Sequence, residues 1–156
     1  MLWLIIGLLS LLGLIFWVPL GSLAAAMPGR KKTPREVIAE VLGSKGMSDQ
    51  TIRYWTAVSQ LETANWTSKV FQDSNNLFAL IVPGQPGLKY GEGQTIFPSW
   101  ADSAEALYTK VIKPFKYALN YDSPDKLVHD MKSHYYFGGK EDDYLAGVKM
   151  YLKQNQ

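Results

Sequence analysis

Cysteine is absent from all 156 residues, which excludes disulfide frameworks, thiolate nucleophiles and cysteine-held metals. Histidine is scarce. His129 and His134 stand five apart, with no third ligand at useful spacing, so they read as surface or helix-end residues and no metal site is expected. Charge of either sign is modest, with a net of +2 and no concentrated Lys/Arg face, so no nucleic-acid partner is expected. No serine-nucleophile motif, phosphate-cradling glycine loop or zinc motif occurs, and no cofactor is expected. Gly91-Glu92-Gly93 reads as a turn.

Charge is missing altogether from residues 1–29. Leu2 to Leu20 is nearly all apolar, with Trp3 and Trp17 as its aromatics. At about 1.5 Å per residue, such a run matches a hydrocarbon core of about 30 Å. Arg30, Lys31, Lys32 and Arg35 follow. The expectation is a transmembrane helix over residues 2–20, in contact with the lipid bilayer, making a single-pass membrane protein. The alternative is a cleaved signal peptide with Ala24-Ala25-Ala26 as its cleavage region; an uncharged start and a long apolar run favour the anchor. The basic cluster after the span keeps the following domain on the cytoplasmic side. A bacterial inner membrane or the internal membrane of a phage fits that arrangement. The expected division is therefore residues 1–29 as anchor and start of linker, and 30–156 as one domain.

Along the second part, helix signals alternate with turn signals. Thr33-Pro34-Arg35-Glu36 has the form of a capping box, and Val37, Ile38, Val41 and Leu42 supply an apolar stripe ending at Gly43 and Gly46. Ser48 or Asp49 starts a second helix that runs to about Glu62. Residues 63–74 read as a loop anchored by Phe71. Leu77–Val82 and Thr95–Phe97 read as two strands of a small hairpin, separated by Pro83-Gly84 and further glycines. Asp102-Ser103-Ala104-Glu105 reads as another capping box, for a helix through Ile112. Ser123-Pro124 opens a short helix carrying Leu127, Val128 and Met131. Asp142 or Asp143 caps a last helix with the stripe Tyr144, Leu145, Val148, Tyr151, Leu152. The sum is an α+β domain, mainly α, with a small β-hairpin.

The most informative stretch is Gln60 to Leu80. Helical spacing from Ile52 puts Trp55, Val58 and Glu62 on roughly one face. A carboxyl group on an apolar face loses hydration and holds its proton to higher pH, as a general acid requires. The other reading of Glu62 is a helix-end carboxylate bonded to nearby backbone or to the Asn75 and Asn76 amides. Trp66 and Trp100 are suited to stack on sugar rings, and equally suited to a core. Asn75 and Asn76 suit the turn into the following strand.

Glu62-Thr63-Ala64-Asn65-Trp66-Thr67-Ser68, followed by Asn75-Asn76-Leu77-Phe78-Ala79, resembles the catalytic region of the glucosaminidases of glycoside hydrolase family 73. Phe97 to Ala106 is similar to that family's strand-to-helix step. Tyr136 through Tyr144-Leu145-Ala146-Gly147-Val148 is similar to its closing segment. The resemblance spans about residues 35 to 153. It departs at Ala64 and Ala79, where the family usually has glycine.

The resemblance implies a lysozyme-like domain, with its cleft between hairpin and helices, that acts on peptidoglycan glycan strands at N-acetylglucosamine linkages. It implies Glu62 as general acid. A second acid is implied on the hairpin, some thirty-odd residues later, where Glu92 is the sole carboxylate between Val82 and Trp100; Asp73 is the fallback. Asn75, Asn76 and Phe78 would shape the cleft near the acid, and Tyr136 would point into it, with Tyr135 next to it in register. Two alternatives stay open. One is a lytic transglycosylase using a single Glu. The other is a non-catalytic glycan-binding or virion structural protein.

Overall fold

A computed structural model describes residues 30–89 and 93–155. Lys32–Gln156 forms one compact unit, and of the other unit, Met1–Lys31, only Arg30 and Lys31 fall among the described residues. Helix α1 (Pro34–Ser44) begins at the expected capping box: the Thr33 side chain accepts from the Glu36 amide, and the Glu36 carboxylate accepts from the Thr33 amide at 2.7 Å. Helix α2 (Asp49–Glu62) is capped by Ser48. Helix α3 (Lys69–Ser74) follows, capped by Ser68, in a segment whose sequence reads as loop. Helix α4 (Trp100–Ala106) runs directly into a π-helical stretch, Leu107–Ile112. Helices α5 (Pro124–Ser133) and α6 (Glu141–Gln154) complete the unit.

Helix α2 is the axis of the fold. Thr51, Ile52 and every residue from Tyr54 to Gln60 are buried, because α1, α5 and α6 all pack against it. The one-sided stripe read from sequence is therefore a helix surrounded on most sides. Several of its buried hydroxyl groups are paired with backbone. The Thr56 and Thr63 hydroxyls donate to carbonyls four residues back, and the Ser59 hydroxyl donates to the Leu77 carbonyl at 2.6 Å. Trp55, with no exposed surface, is the hub; the rings of Phe78, Tyr117 and Tyr136 meet it edge-on at 6.3, 5.8 and 6.0 Å. Edge-to-face contacts of this kind add to the burial of apolar area that holds the core together.

The expected β-hairpin is not formed, and the α+β class is corrected to a helical fold among the described residues. Between Leu77 and Phe97 the only ladder-type pairing among them is an isolated antiparallel bridge, Gly87 to Thr95. The reason lies in where the backbone donors go. The Leu77 amide donates to the Ser103 hydroxyl, the Phe78 and Leu80 amides to the Asn76 side-chain oxygen, and the Val82 amide to the Thr95 hydroxyl. Side chains thus take the bonds that a partner strand would have taken. Ala79, at φ +50°, interrupts the extended run, and Pro83 and Pro86 bring no amide hydrogen. At the bridge Gly87 approaches Gly93 so closely that an added Cβ would lie 2.6 Å from the Gly93 carbonyl oxygen.

The expected membrane span is not found among the described residues, where no helix is long and apolar enough to cross a membrane. The longest, α2 and α6, have 14 residues each and reach about 21 Å at 1.5 Å per residue, short of a hydrocarbon core of about 30 Å. Residues 2–20, to which the expectation was attached, lie outside the described residues.

Two helix starts also differ. Ser99, not Asp102, caps α4; its hydroxyl accepts from the Asp102 amide and donates to the Asp102 carboxylate. Helix α6 begins at Glu141 after Lys140, without a side-chain cap, and its first turn holds Glu141, Asp142 and Asp143. Three carboxylates there complement the positive end of the helix dipole.

Candidate active site

Glu62 is the last residue of α2, where the helix leaves the core. It lies on a cleft of about 900 Å³ whose walls include Phe78, Ala79, Tyr117, His134 and Tyr136. Glu62 is the only carboxylate among the described residues lining it.

Two tyrosines brace this wall. Tyr144, on the first turns of α6, donates its hydroxyl to Glu62 Oε1 at 2.5 Å across 82 residues of sequence. Its ring is clamped by Phe137, stacked at 3.9 Å between centroids and 6° between planes. Phe137 in turn carries the Lys132 ammonium 5.4 Å from its ring centre, a cation–π contact. Tyr136 donates its hydroxyl to the Phe78 carbonyl at 3.2 Å, tying the segment after α5 to the cleft floor. Burial, then the Tyr136 and Glu62 charges and the bond to Glu62, push the Tyr144 phenol far above its ordinary value. Burial first, and Glu62 second, do the same to Tyr136. Both phenols therefore stay protonated and remain donors throughout the range in which a carboxyl group titrates.

The cleft floor is the turn from Asn75 to Leu80. Asn75 ends α3 in the left-handed region, φ +53°, a conformation Asn tolerates better than most residues, and its amide donates to the Phe97 carbonyl at 3.1 Å. Asn76 is fully buried. Its amide nitrogen donates to the Leu80 and Thr95 carbonyls at 2.8 and 3.0 Å, and its oxygen accepts from the Phe78 and Leu80 amides. All its capacity serves the backbone, so it shapes the cleft without touching what enters it. The Phe78 ring is buried against Trp55.

The two tryptophans singled out from sequence are not among the residues lining this cleft. Trp66 donates its indole N–H to the Ser59 hydroxyl at 2.9 Å, fastening the loop after α2 to that helix. Trp100 stacks on Phe71 at 5.6 Å, joining α4 to α3. Asp73 pairs with Lys69 one turn away on α3. Glu92 lies outside the described residues. His129 is paired with Glu141 at 3.2 Å. His134, at the end of α5, does line the cleft, its ring tilted against Tyr117 and Phe115 at 5.0 and 5.3 Å. Among the described residues no group of three or more histidines and carboxylates is arranged to hold a metal.

Sequence reasoning did not single out Tyr144, Phe115 or His134 for this site. Tyr144 reads locally as one member of the α6 stripe, and nothing near it in sequence announces a partner 82 residues away. Ala64 and Ala79, noted as departures from glycine, both have positive φ, +49° and +50°. An L-residue there carries a strain of roughly 1–2 kcal/mol, partly offset by its lower freedom in the unfolded chain. Ala64→Gly and Ala79→Gly are each expected to stabilise the fold by about 0.5–1 kcal/mol, read as a rise in denaturation midpoint. A loss of stability in both would show that their methyl groups are packed rather than strained.

Comparison of the chain with protein-family models, with curated proteins and with solved structures finds no match.

Proposed function

We propose that this protein cleaves the glycan strands of peptidoglycan at N-acetylglucosamine linkages, with Glu62 as the general acid. The observation that carries the reading is the setting of Glu62: a carboxyl group at a helix end, in a cleft of about 900 Å³, held by a tyrosine hydroxyl. A carboxylate kept only for structure has no need of an open cleft beside it. Tyr117 and His134 belong to the same lining.

Protonated Glu62 gives its proton to the glycosidic oxygen as the bond to the anomeric carbon breaks. The sugar then carries developing positive charge, and a nucleophile closes on the anomeric carbon. In a hydrolase the nucleophile is water. In a transglycosylase, which instead breaks the bond at the muramic anomeric carbon, it is that same residue's 6-hydroxyl, whose proton returns to Glu62. In this second route one carboxyl group serves as acid and then base, whereas the first calls on a second acid, for which Glu92 is the candidate. Mass spectrometry of fragments from purified peptidoglycan separates the outcomes. Reducing N-acetylglucosamine ends support the hydrolase, 1,6-anhydro ends the transglycosylase, and intact strands overturn both.

Tyr144 acts as a positioning residue in this reading. Its hydroxyl stabilises the ionised carboxylate, so Tyr144→Phe makes Glu62 keep its proton to higher pH. Cleavage uses protonated Glu62, so the alkaline limb of the pH–rate profile moves upward. The plateau rate should fall about tenfold as the carboxyl group loses its fixed direction. A profile with an unmoved limb would reduce Tyr144 to a packing role.

A further inference from the structure

The cleft is also lined by two aromatic residues that the chemistry above does not use. Tyr135 lines it and is 92 % exposed; Phe115 lines it and is 47 % exposed. Both belong to helix-terminating turns of the same construction. After α5 the Tyr136 amide donates to the Met131 carbonyl and the Tyr135 amide to the Lys132 carbonyl, with Tyr135 at φ +57°. After the π-helical stretch the Tyr117 amide donates to the Ile112 carbonyl and the Lys116 amide to the Lys113 carbonyl, with Lys116 at φ +57° and Phe115 just before it. This is the Schellman arrangement, whose left-handed position is most often glycine.

Tyr135 therefore occupies a position where the fold gains most from glycine, and an aromatic side chain there carries backbone strain. With 92 % of its surface in water, the ring returns little to the fold by packing. What the position offers is an exposed phenol ring in the cleft lining, shared with Phe115 of the other turn. Exposed aromatic planes match a pyranose, which has an apolar C–H face.

We infer that Tyr135 and Phe115 form an aromatic subsite for an N-acetylhexosamine ring of the glycan strand, remote from the bond that is cut. The inference rests on the glycan-cleaving reading and deepens it. Sugar rings bound here extend the contact of the strand with the protein and hold it in register at Glu62. The role of Tyr135 is binding, so its loss acts on KM and affinity more than on kcat.

The test uses the full chain carrying Glu62→Gln, so that the probe, a linear hexamer of N-acetylglucosamine, is not consumed. Titration calorimetry compares this protein with versions that also carry Tyr135→Gly or Tyr135→Trp. Tyr135→Gly is expected to weaken hexamer binding about threefold to tenfold. It should also raise the melting temperature, because glycine relieves the turn. Tyr135→Trp should bind at least as well as the parent. Equal binding by Tyr135→Gly, or a lowered melting temperature, overturns the subsite and leaves the glycan reading standing. A parent that neither binds the hexamer nor, with Glu62 intact, cleaves peptidoglycan overturns the glycan reading and the subsite with it.

Discussion

Glu62→Gln should lower peptidoglycan cleavage by at least about a hundredfold, the range general acid catalysis supplies. The amide keeps the size and planarity of the carboxyl group, and its oxygen still accepts from Tyr144, 2.5 Å away in the parent. It has no acidic proton to give to the leaving oxygen. The helix end should survive the change, because the Thr63 and Asn65 amides that close it donate to the Ser59 and Gln60 carbonyls and do not involve the Glu62 side chain. Turbidity clearing of a cell-wall suspension gives the rate, and a thermal melt shows that the fold persists. Clearing at near-normal rate by a folded variant would remove Glu62 from the mechanism. Glu92→Gln by itself, in the same assay, divides the two routes: a sharp loss assigns the second acid to Glu92, and a mild one fits a single-acid enzyme.

Asn76→Ala should have the largest effect on stability. One buried side chain holds four hydrogen bonds, to the Phe78 amide, the Leu80 amide and carbonyl, and the Thr95 carbonyl. Alanine leaves those backbone groups in a site without water. The Leu80 carbonyl keeps the Thr95 amide as a second partner at 2.8 Å, so its loss is the smallest of the four. Stranding the other three at the low end of the usual cost, about 1–1.5 kcal/mol each, gives a destabilisation of about 3–5 kcal/mol, a large part of the stability of a domain this size. The cleft floor at Phe78 and Ala79 should loosen with it, so activity falls even under conditions where the chain remains folded. Denaturant titration checks the first effect. A shift below about 1 kcal/mol would mean that the turn is held by its packing on Trp55 rather than by the amide.

Local rules account for the helices that sequence marks clearly. Thr33 and Glu36 form a reciprocal cap because both halves of it lie within four residues, and Ser48 and Ser123 cap α2 and α5 for the same reason. Where two local signals compete, the choice escapes sequence. Ser99 and Asp102 are both good cap residues, and Ser99 takes the position. Helix α3 has six residues and only Phe71 and Ser74 buried, too short for a period to be visible. The hairpin expectation failed through side chains far along the chain. Leu77–Val82 has strand composition, yet Asn76, Thr95 and Ser103 take its amides.

The candidate site divides in the same way. Sequence alone determined that Glu62 ends a helix with apolar neighbours, that Asn75 and Asn76 make a turn, and that cysteine chemistry has no residue to support it. Those properties follow from residue type and from spacing within a few positions. Tertiary structure alone decided that Tyr144 holds Glu62, that Tyr136 is pinned to Phe78, and that Trp66 and Trp100 turn to Ser59 and Phe71. It also decided that Tyr135 and Phe115 share the lining of one cleft. The tyrosine placements depend on where α5 and α6 come to rest against α2, and that is set by the burial of side chains around Trp55, which is non-directional and summed over the whole core.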